Sequence, residues 1–111
     1  MRVTVSHNKD PQEIVRNVDR GFDDMFRGLP LGPVQFTEER RQWNGRRLDF
    51  SFTARAGFMV FPIRGTVLVE DRQVTVDVDL PPVLENFLPQ QKMKTVLEGR
   101  VRGMLNPPQK T

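Results

Sequence analysis

The sequence contains no cysteine and only one histidine, His7, among its 111 residues. The absence of cysteine excludes disulfides, thiolate zinc sites and thiol nucleophiles, and a single imidazole leaves little for histidine-based metal binding or acid–base chemistry. No stretch approaches the roughly 20 apolar residues that a membrane-spanning helix needs. Because no catalytic constellation is recognisable, we predict a non-enzymatic protein that uses no metal and no cofactor.

The composition is that of one globular domain, with 37% hydrophobic and 28% charged residues. We predict a single domain over residues 1–111, with its core between residues 3 and 105 and a flexible tail over 106–111. The opening segment MRVTVSHNKDPQ has no apolar run, so we expect neither a secretory signal nor a transit peptide, and a cytoplasmic location. Basic residues outnumber acidic ones by 17 to 14, but the two signs are interspersed, so a polyanion-binding surface is not implied.

The first third of the chain predicts a strand and a helix. Val3 and Val5 alternate with polar neighbours, as in a strand with one buried face. Asp10 and Pro11 then supply a helix cap and a first helical residue. Apolar residues follow at spacings of three and four until Arg27 and Gly28 end the helix before a loop over 28–33. This stripe comprises Ile14, Val15, Val18, Phe22, Met25 and Phe26.

Between Val34 and Leu80 the apolar period changes to two, which predicts four strands. A two-residue turn at Asn44-Gly45 would set Arg41 opposite Leu48 and Glu39 opposite Phe50. That register puts charges on a buried face, so we predict that this first strand of the four is a bulged edge strand. A second turn at Ala56-Gly57 precedes a strand in which Pro62 and Gly65 indicate a bulge or break.

The last third predicts one more helix. Pro81-Pro82 ends the sheet, a short turn follows over 83–87, and Pro89 lies in the first turn of the helix. Consecutive antiparallel strands with polar outer faces bury only one side, so both helices should pack on the same face. We therefore predict a two-layer α+β fold with about five antiparallel strands, in the order β-α-β-β-β-β-α. The apolar stripe of the last helix comprises Met93, Val96, Leu97, Val101, Met104 and Leu105.

Several segments carry a family resemblance that spans about Val3 to Leu105: the stretch from Trp43 to Phe52, Gly57-Phe58, Gly65 to Val69, VTVDVDLP and a final basic amphipathic helix. In these, the chain resembles the polyhydroxyalkanoic acid system family of small bacterial proteins. The resemblance implies a setting at polyhydroxyalkanoate granules, the polyester stores of bacteria, and implies no enzymatic activity. The segment between Phe58 and Gly65 departs from the family in being longer and more apolar. The element order also resembles a shortened helix-grip fold, in which apolar ligands lie between a sheet and a long helix.

One segment is apolar on both of its alternating faces. Phe58, Met59, Phe61 and Ile63 cannot all be covered if helices pack on one side of the sheet only. We predict that they form an apolar contact for a homodimer partner, a lipid-like ligand or a polyester surface. The alternative is that a bulge at Pro62 folds all of them into one core.

A basic hairpin surrounds the only tryptophan. Arg40, Arg41, Arg46 and Arg47 flank Trp43, a pattern that could hold phosphates while the indole stacks on a base. Charges of both signs interleave and no nucleic-acid motif occurs, which argues against nucleic acid. The competing interpretation is a solvated edge strand, with Arg40 paired to Asp49 and Trp43 packed on the sheet. An anionic partner protein is a further alternative.

Three glycines lie on the predicted helices. Gly99 and Gly103 form a small-residue stripe with Thr95 on the last helix, and Gly21 lies on the first. A glycine inside a helix costs about 1 kcal/mol relative to alanine. We therefore predict that these glycines allow the two helices to pack closely. The alternative is that the last helix is simply weak.

Adjacent carboxylates do not predict a metal site. Asp23-Asp24, Glu38-Glu39 and the pair Asp77 and Asp79 lack the converging oxygens that a hard cation needs. We interpret them as solvated faces and cross-strand ion pairs.

The leading hypothesis is therefore a binding or structural protein of the polyhydroxyalkanoate system, bound to granules or to a granule protein. The alternative is a carrier or sensor of an acyl-type molecule held between the sheet and the last helix. A third hypothesis is a nucleic-acid-binding module.

Overall fold

The computed structural model describes residues 1–25, 35–82 and 89–106. Within them lie five strands and two helices in the predicted order β-α-β-β-β-β-α. The predicted end of the first helix, the loop at 28–33, the turn at 83–87 and the tail from 107 onward fall outside the described residues. The elements are β1 (Arg2–Ser6), α1 (Pro11–Met25), β2 (Gln35–Asn44), β3 (Arg47–Ala56), β4 (Met59–Val69), β5 (Gln73–Asp79) and α2 (Gln90–Leu105).

The five strands form one open antiparallel sheet in the order β1-β5-β4-β3-β2. This confirms the predicted α+β class. Strands β3, β4 and β5 follow one another as hairpins, whereas β1 joins the sheet beside β5 through pairs such as Val3 with Val76. Consequently β1 and β2 are the two edges of the described sheet.

Helix α1 begins at the cap that the sequence predicts. The Asp10 carboxylate accepts a hydrogen bond from the Gln12 amide at 2.9 Å, which satisfies one of the free amides of the first turn. At α2 the prediction is displaced by one residue. Pro89 lies immediately before the helix, and Gln90 is the first helical residue.

Both helices bury their apolar stripes against one face of the sheet, which we call the inner face. Alternate residues of β1, β3, β4 and β5, and residues three or four apart in the helices, meet in a single cluster, against which Trp43 of β2 packs partly buried. The opposite, outer face carries the polar residues of the alternation. The innermost side chains include Val3, Leu48, Val67, Val76, Ile14, Val18, Phe22, Leu97 and Val101.

The β2–β3 turn lies one residue later than predicted. Asn44 pairs with Arg47, so the turn residues are Gly45 and Arg46, and Gly45 has a φ of +62°. A two-residue hairpin turn of this kind needs positive φ at its first position, which suits glycine. The shift sets Trp43 opposite Leu48 and Arg41 opposite Phe50. The predicted pairs of Arg41 with Leu48 and Glu39 with Phe50 are therefore wrong.

Strand β2 is a bulged edge strand, as predicted. Thr37 pairs with Thr53 and Arg40 with Ser51, so both Glu38 and Glu39 lie opposite Phe52. Glu38 has a φ of +55°, a left-handed conformation that favours glycine. The charges and the bulge both hinder strand pairing at this edge.

Strand β4 has no bulge, contrary to the prediction from Pro62 and Gly65. Its register with β3 runs without a shift from Leu68 to Met59. Pro62 lies where β3 is the only described strand paired with β4, a position that tolerates a missing amide. Gly65 lies opposite Phe50, and a side chain there would overlap the Phe50 ring.

Candidate apolar contact site

The β3–β4 hairpin extends beyond the neighbouring strand. Pairing between β4 and β5 ends at Arg64 and Asp79, whereas pairing between β3 and β4 continues to Ala56 and Met59. The extra β4 residues, 59–63, correspond to about 16 Å of strand. The end of this hairpin therefore projects past β5.

A tight turn presents one aromatic ring at that end. Gly57 and Phe58 form the two-residue turn, and Gly57 has a φ of +64°. Phe58 is 96% exposed, and the next two residues, Met59 and Val60, are 44% and 52% exposed. We call Phe58, Met59 and Val60 the apolar tip. An exposed group of consecutive large apolar side chains is uncommon on a protein surface and typical of a contact site.

Only part of the predicted apolar contact belongs to this tip. Met59, Phe61 and Ile63 alternate along β4 and share the inner face, where their burial increases toward the helices. Ile63 is 2% exposed and is a core residue, and Phe61 is half-buried against the core. The prediction is therefore wrong for Ile63 and partly wrong for Phe61. The alternative, a bulge at Pro62 that buries them all, is wrong as well.

Sequence reasoning missed Val60. It alternates onto the outer face and pairs with Arg55. Its place two residues after the turn was the available signal, because a residue there is close to the end of the hairpin whichever face it occupies.

Three arginines of the outer face have no carboxylate partner within the described residues. Arg55 of β3 lies opposite Val60 of β4. Ser51 of β3 lies between the other two, Arg40 of β2 and Arg64 of β4, and pairs with both. Elsewhere on the sheet, Arg2 pairs with Asp77 at 2.9 Å. Because Arg55 makes no ion pair with a described residue, its guanidinium donors near the tip are available to a partner in that part of the chain.

The structure does not bring the basic hairpin residues together on one surface. Arg41 and Trp43 point to the inner face, and Arg40 lies on the outer face. Arg46, in the turn, pairs with Asp71 at 2.8 Å. Arg47, the first residue of β3, pairs with Asp49 at 3.1 Å. The predicted pair of Arg40 with Asp49 is therefore wrong, since Arg47 holds that carboxylate.

Arg41 and Trp43 instead anchor β2 to α1. The Trp43 indole donates to the Asp19 carboxylate at 3.1 Å, and an Arg41 guanidinium N–H donates to the Asp19 carbonyl at 3.2 Å. The guanidinium carbon of Arg41 also lies 5.2 Å from the centre of the Phe22 ring. These contacts explain how a charged residue is tolerated on the inner face.

Close helix packing occurs at one of the three predicted glycines. A side chain at Gly21 would lie 2.7 Å from Cγ and Sδ of Met104 on α2. A side chain at Gly99 or Gly103 would meet no atom of the described residues within 4 Å. The prediction of close packing is therefore wrong for Gly99 and Gly103, since no other described element approaches them.

The described residues include no group of three or more histidine, aspartate and glutamate side chains that could hold a metal ion. His7 has contacts at both ring nitrogens, with the Glu70 carbonyl at 2.8 Å and the Lys9 amide at 3.2 Å. Within the same residues, no helix has the length and apolar character to cross a membrane.

Comparison with known proteins found no matching family model, no matching curated protein and no matching solved structure. The functional argument therefore depends on the chain's own residues and on the resemblance that some of them carry.

Proposed function

We propose that this chain is a non-enzymatic binding protein of the polyhydroxyalkanoate system, and that its apolar tip inserts into the polyester surface. The observation that carries the proposal is Phe58, which is 96% exposed at the turn of a hairpin that projects past β5. When a partner covers this ring, apolar surface is removed from water and the free energy of the system falls. The family resemblance supplies the granule setting.

The size of the tip predicts a weak, reversible contact. Burial of one large apolar side chain contributes about 1.5–3 kcal/mol. The tip has one fully exposed and two half-exposed side chains, so the gross gain is about 3–6 kcal/mol, from which the cost of association is subtracted. Such a contact corresponds to a dissociation constant in the millimolar range or weaker for one molecule. A granule offers a continuous surface of identical sites, on which a weak contact is enough for attachment.

Polyester chemistry also suits the arginine beside the tip. Polyhydroxyalkanoates present alkyl side chains together with ester carbonyls, which accept hydrogen bonds but carry no charge. Arg55 pairs with Val60 in the sheet and has no ion-pair partner among the described residues. Its guanidinium group can therefore donate to ester carbonyls while the tip contacts the alkyl groups.

Co-sedimentation with polyhydroxybutyrate particles tests the proposal. Phe58→Asp should reduce the bound fraction at least tenfold, because it replaces the exposed ring by a charge. Leu68→Asp is the matched control, since Leu68 is an exposed apolar residue of the same strand, 42% exposed and remote from the tip. Equal loss in both variants, or no binding by the unmodified chain, would refute the proposal.

A charge-matched pair tests the contribution of arginine. Arg55→Gln should weaken binding, whereas Arg72→Gln, in the β4–β5 turn, should not, although both variants lose one positive charge.

Light scattering on the same samples separates a dimer contact from a polyester contact. If Phe58→Asp converts a dimer to a monomer without affecting sedimentation, the tip contacts a second copy and the polyester proposal is wrong.

The carrier hypothesis requires an enclosed cavity between the sheet and α2. There the described side chains Met93, Leu97 and Val101 are at most 1% exposed and belong to the core. No observation favours a carrier, so we do not propose it.

A further inference from the structure

A small cavity lies beside the β2 bulge on the inner face, and none of the described residues that line it belongs to the apolar tip. Its volume is about 80 Å³, and it lies between the end of α1 and strands β2 and β3. Since a water molecule takes up about 30 Å³ of the liquid, this is room for a compact group of a few heavy atoms. The residues that line it are Phe22, Asp23, Phe36, Glu39 and Phe52.

Three of the lining residues are phenylalanines. Phe36 and Phe52 meet edge to face, with ring centres 5.0 Å apart and planes at 75°. Phe36 is 39% exposed at the mouth, whereas Phe22 and Phe52 are buried. The face of an aromatic ring carries partial negative charge and attracts cations. Phe22 already makes this contact with Arg41, whose guanidinium carbon lies 5.2 Å from the ring centre.

The two remaining lining residues are carboxylates. Asp23 makes no hydrogen bond or ion pair with any described residue, and it is exposed to solvent. Glu39 forms an ion pair with Arg41, whose Nε lies 3.9 Å from the carboxylate, so its charge is partly offset. With Arg41 counted, the two carboxylates leave one excess negative charge beside the aromatic walls, which favours an organic cation over an anion or a neutral molecule.

The backbone is strained at Glu38, the residue before Glu39 of the cavity lining. Glu38 adopts a φ of +55°, which costs a residue with a side chain roughly 1–2 kcal/mol. The resulting bulge directs the two glutamates apart. Glu39 lines the cavity, while the Glu38 carboxylate accepts a 3.4 Å hydrogen bond from the Thr53 hydroxyl. Strain and bulges of this kind are concentrated at functional sites, where they re-aim a side chain.

We propose that this cavity binds a small organic cation with an alkylated ammonium group, of the kind found in choline. The alkyl groups would contact the phenylalanine rings, and Asp23 and Glu39 would balance the charge without a direct bond. The site is independent of the apolar tip and of the proposed polyester contact.

Titration of the full-length chain, followed by amide chemical shifts, tests the proposal. Choline should produce saturable shifts at Phe36 and Glu39, and its neutral isostere 3,3-dimethyl-1-butanol should bind about tenfold more weakly or not at all. Equal binding of the two probes would show a merely apolar pocket and would overturn the proposal. Absence of saturable shifts with choline would also overturn it.

Two glutamate variants provide a matched pair. Glu39→Gln should weaken choline binding about threefold to tenfold. Glu38→Gln removes the same charge from the neighbouring residue, whose side chain bonds to Thr53 instead, and should leave affinity unchanged. Equal effects would mean that only net charge matters, which contradicts a defined site. Phe36→Leu, which keeps an apolar side chain and removes the ring, should also weaken binding.

A short-chain phosphatidylcholine, used below its micelle concentration, distinguishes a lipid head group from a free cation. Tighter binding than choline at the same residues would support the proposal and assign the lipid source. Weaker binding would support it with a free cation as the ligand.

Discussion

Replacement of Gly65 by alanine should destabilise the protein, although alanine is normally compatible with a strand. A methyl group at this position would overlap the Phe50 ring and lie 2.6 Å from the Asp77 carbonyl oxygen. The ring cannot easily move aside, because Phe50 is buried and its ring centre lies 5.1 Å from that of Phe22 and 6.1 Å from that of Phe52. The carbonyl belongs to the β5 backbone and is held by the sheet.

The expected magnitude follows from two opposing effects. Overpacking of a core typically costs about 1–3 kcal/mol. Alanine restricts the unfolded chain more than glycine does, which raises the free energy of unfolding by about 0.4–1 kcal/mol. The net loss in the free energy of unfolding is then about 1–2 kcal/mol. For a domain of this size, each kcal/mol lowers the melting temperature by about 4 °C, so we expect a decrease of about 4–8 °C.

Gly99→Ala is the control of opposite sign. Gly99 lies inside α2, where an added methyl group would meet no described atom within 4 Å, so alanine should stabilise the protein by up to about 1 kcal/mol. Thermal and urea unfolding followed by circular dichroism measure both variants. A stabilised or unchanged Gly65→Ala protein would refute the reasoning. Partial recovery in the Gly65→Ala, Phe50→Leu double variant would identify the ring as the obstacle.

The remaining predictions concern the tip, the bulge and the helix contact. Phe61→Asp should lower stability by about 1–3 kcal/mol, because Phe61 packs on the core, whereas Phe58→Asp should unfold like the unmodified chain; equal melting temperatures would contradict this. Glu38→Gly should be neutral or stabilising by up to about 1 kcal/mol, since it relieves positive φ, and clear destabilisation in urea unfolding would count against strain. Asp19→Ala should cost about 0.5–1.5 kcal/mol and change the fluorescence of Trp43, the only tryptophan; an unaltered spectrum would exclude the hydrogen bond.

Much of the fold follows from local patterns. The alternation of Val74, Val76 and Val78 predicts a strand with one buried face, and all three are core residues. The Asp10-Pro11 pair predicts the start of α1, where Asp10 caps Gln12. These predictions succeed because an apolar stripe and a helix cap depend on residues that are close in sequence.

Register and packing were harder to predict. Glycine at position 45 suits a turn at Asn44-Gly45 or at Gly45-Arg46, so turn chemistry alone does not choose between them. The second turn sets Trp43 opposite Leu48 and brings the indole to Asp19 on α1. That choice depends on a helix about 24 residues away in the chain, which no local pattern contains. The same applies to Gly99, whose open surroundings depend on where α1 lies.

The sequence by itself determined the class of fold, the order of its elements and the residues able to form a core, because these depend on periodicity and turn chemistry. Only the tertiary structure decided which apolar residues are exposed. Phe58 and Ile63 are both large apolar residues of one segment, yet one is 96% exposed and the other 2%. The physical reason is the length of the β3–β4 hairpin. Ile63 lies in the core that the helices and the sheet form, whereas Phe58 lies at the end of the hairpin, beyond the described helices.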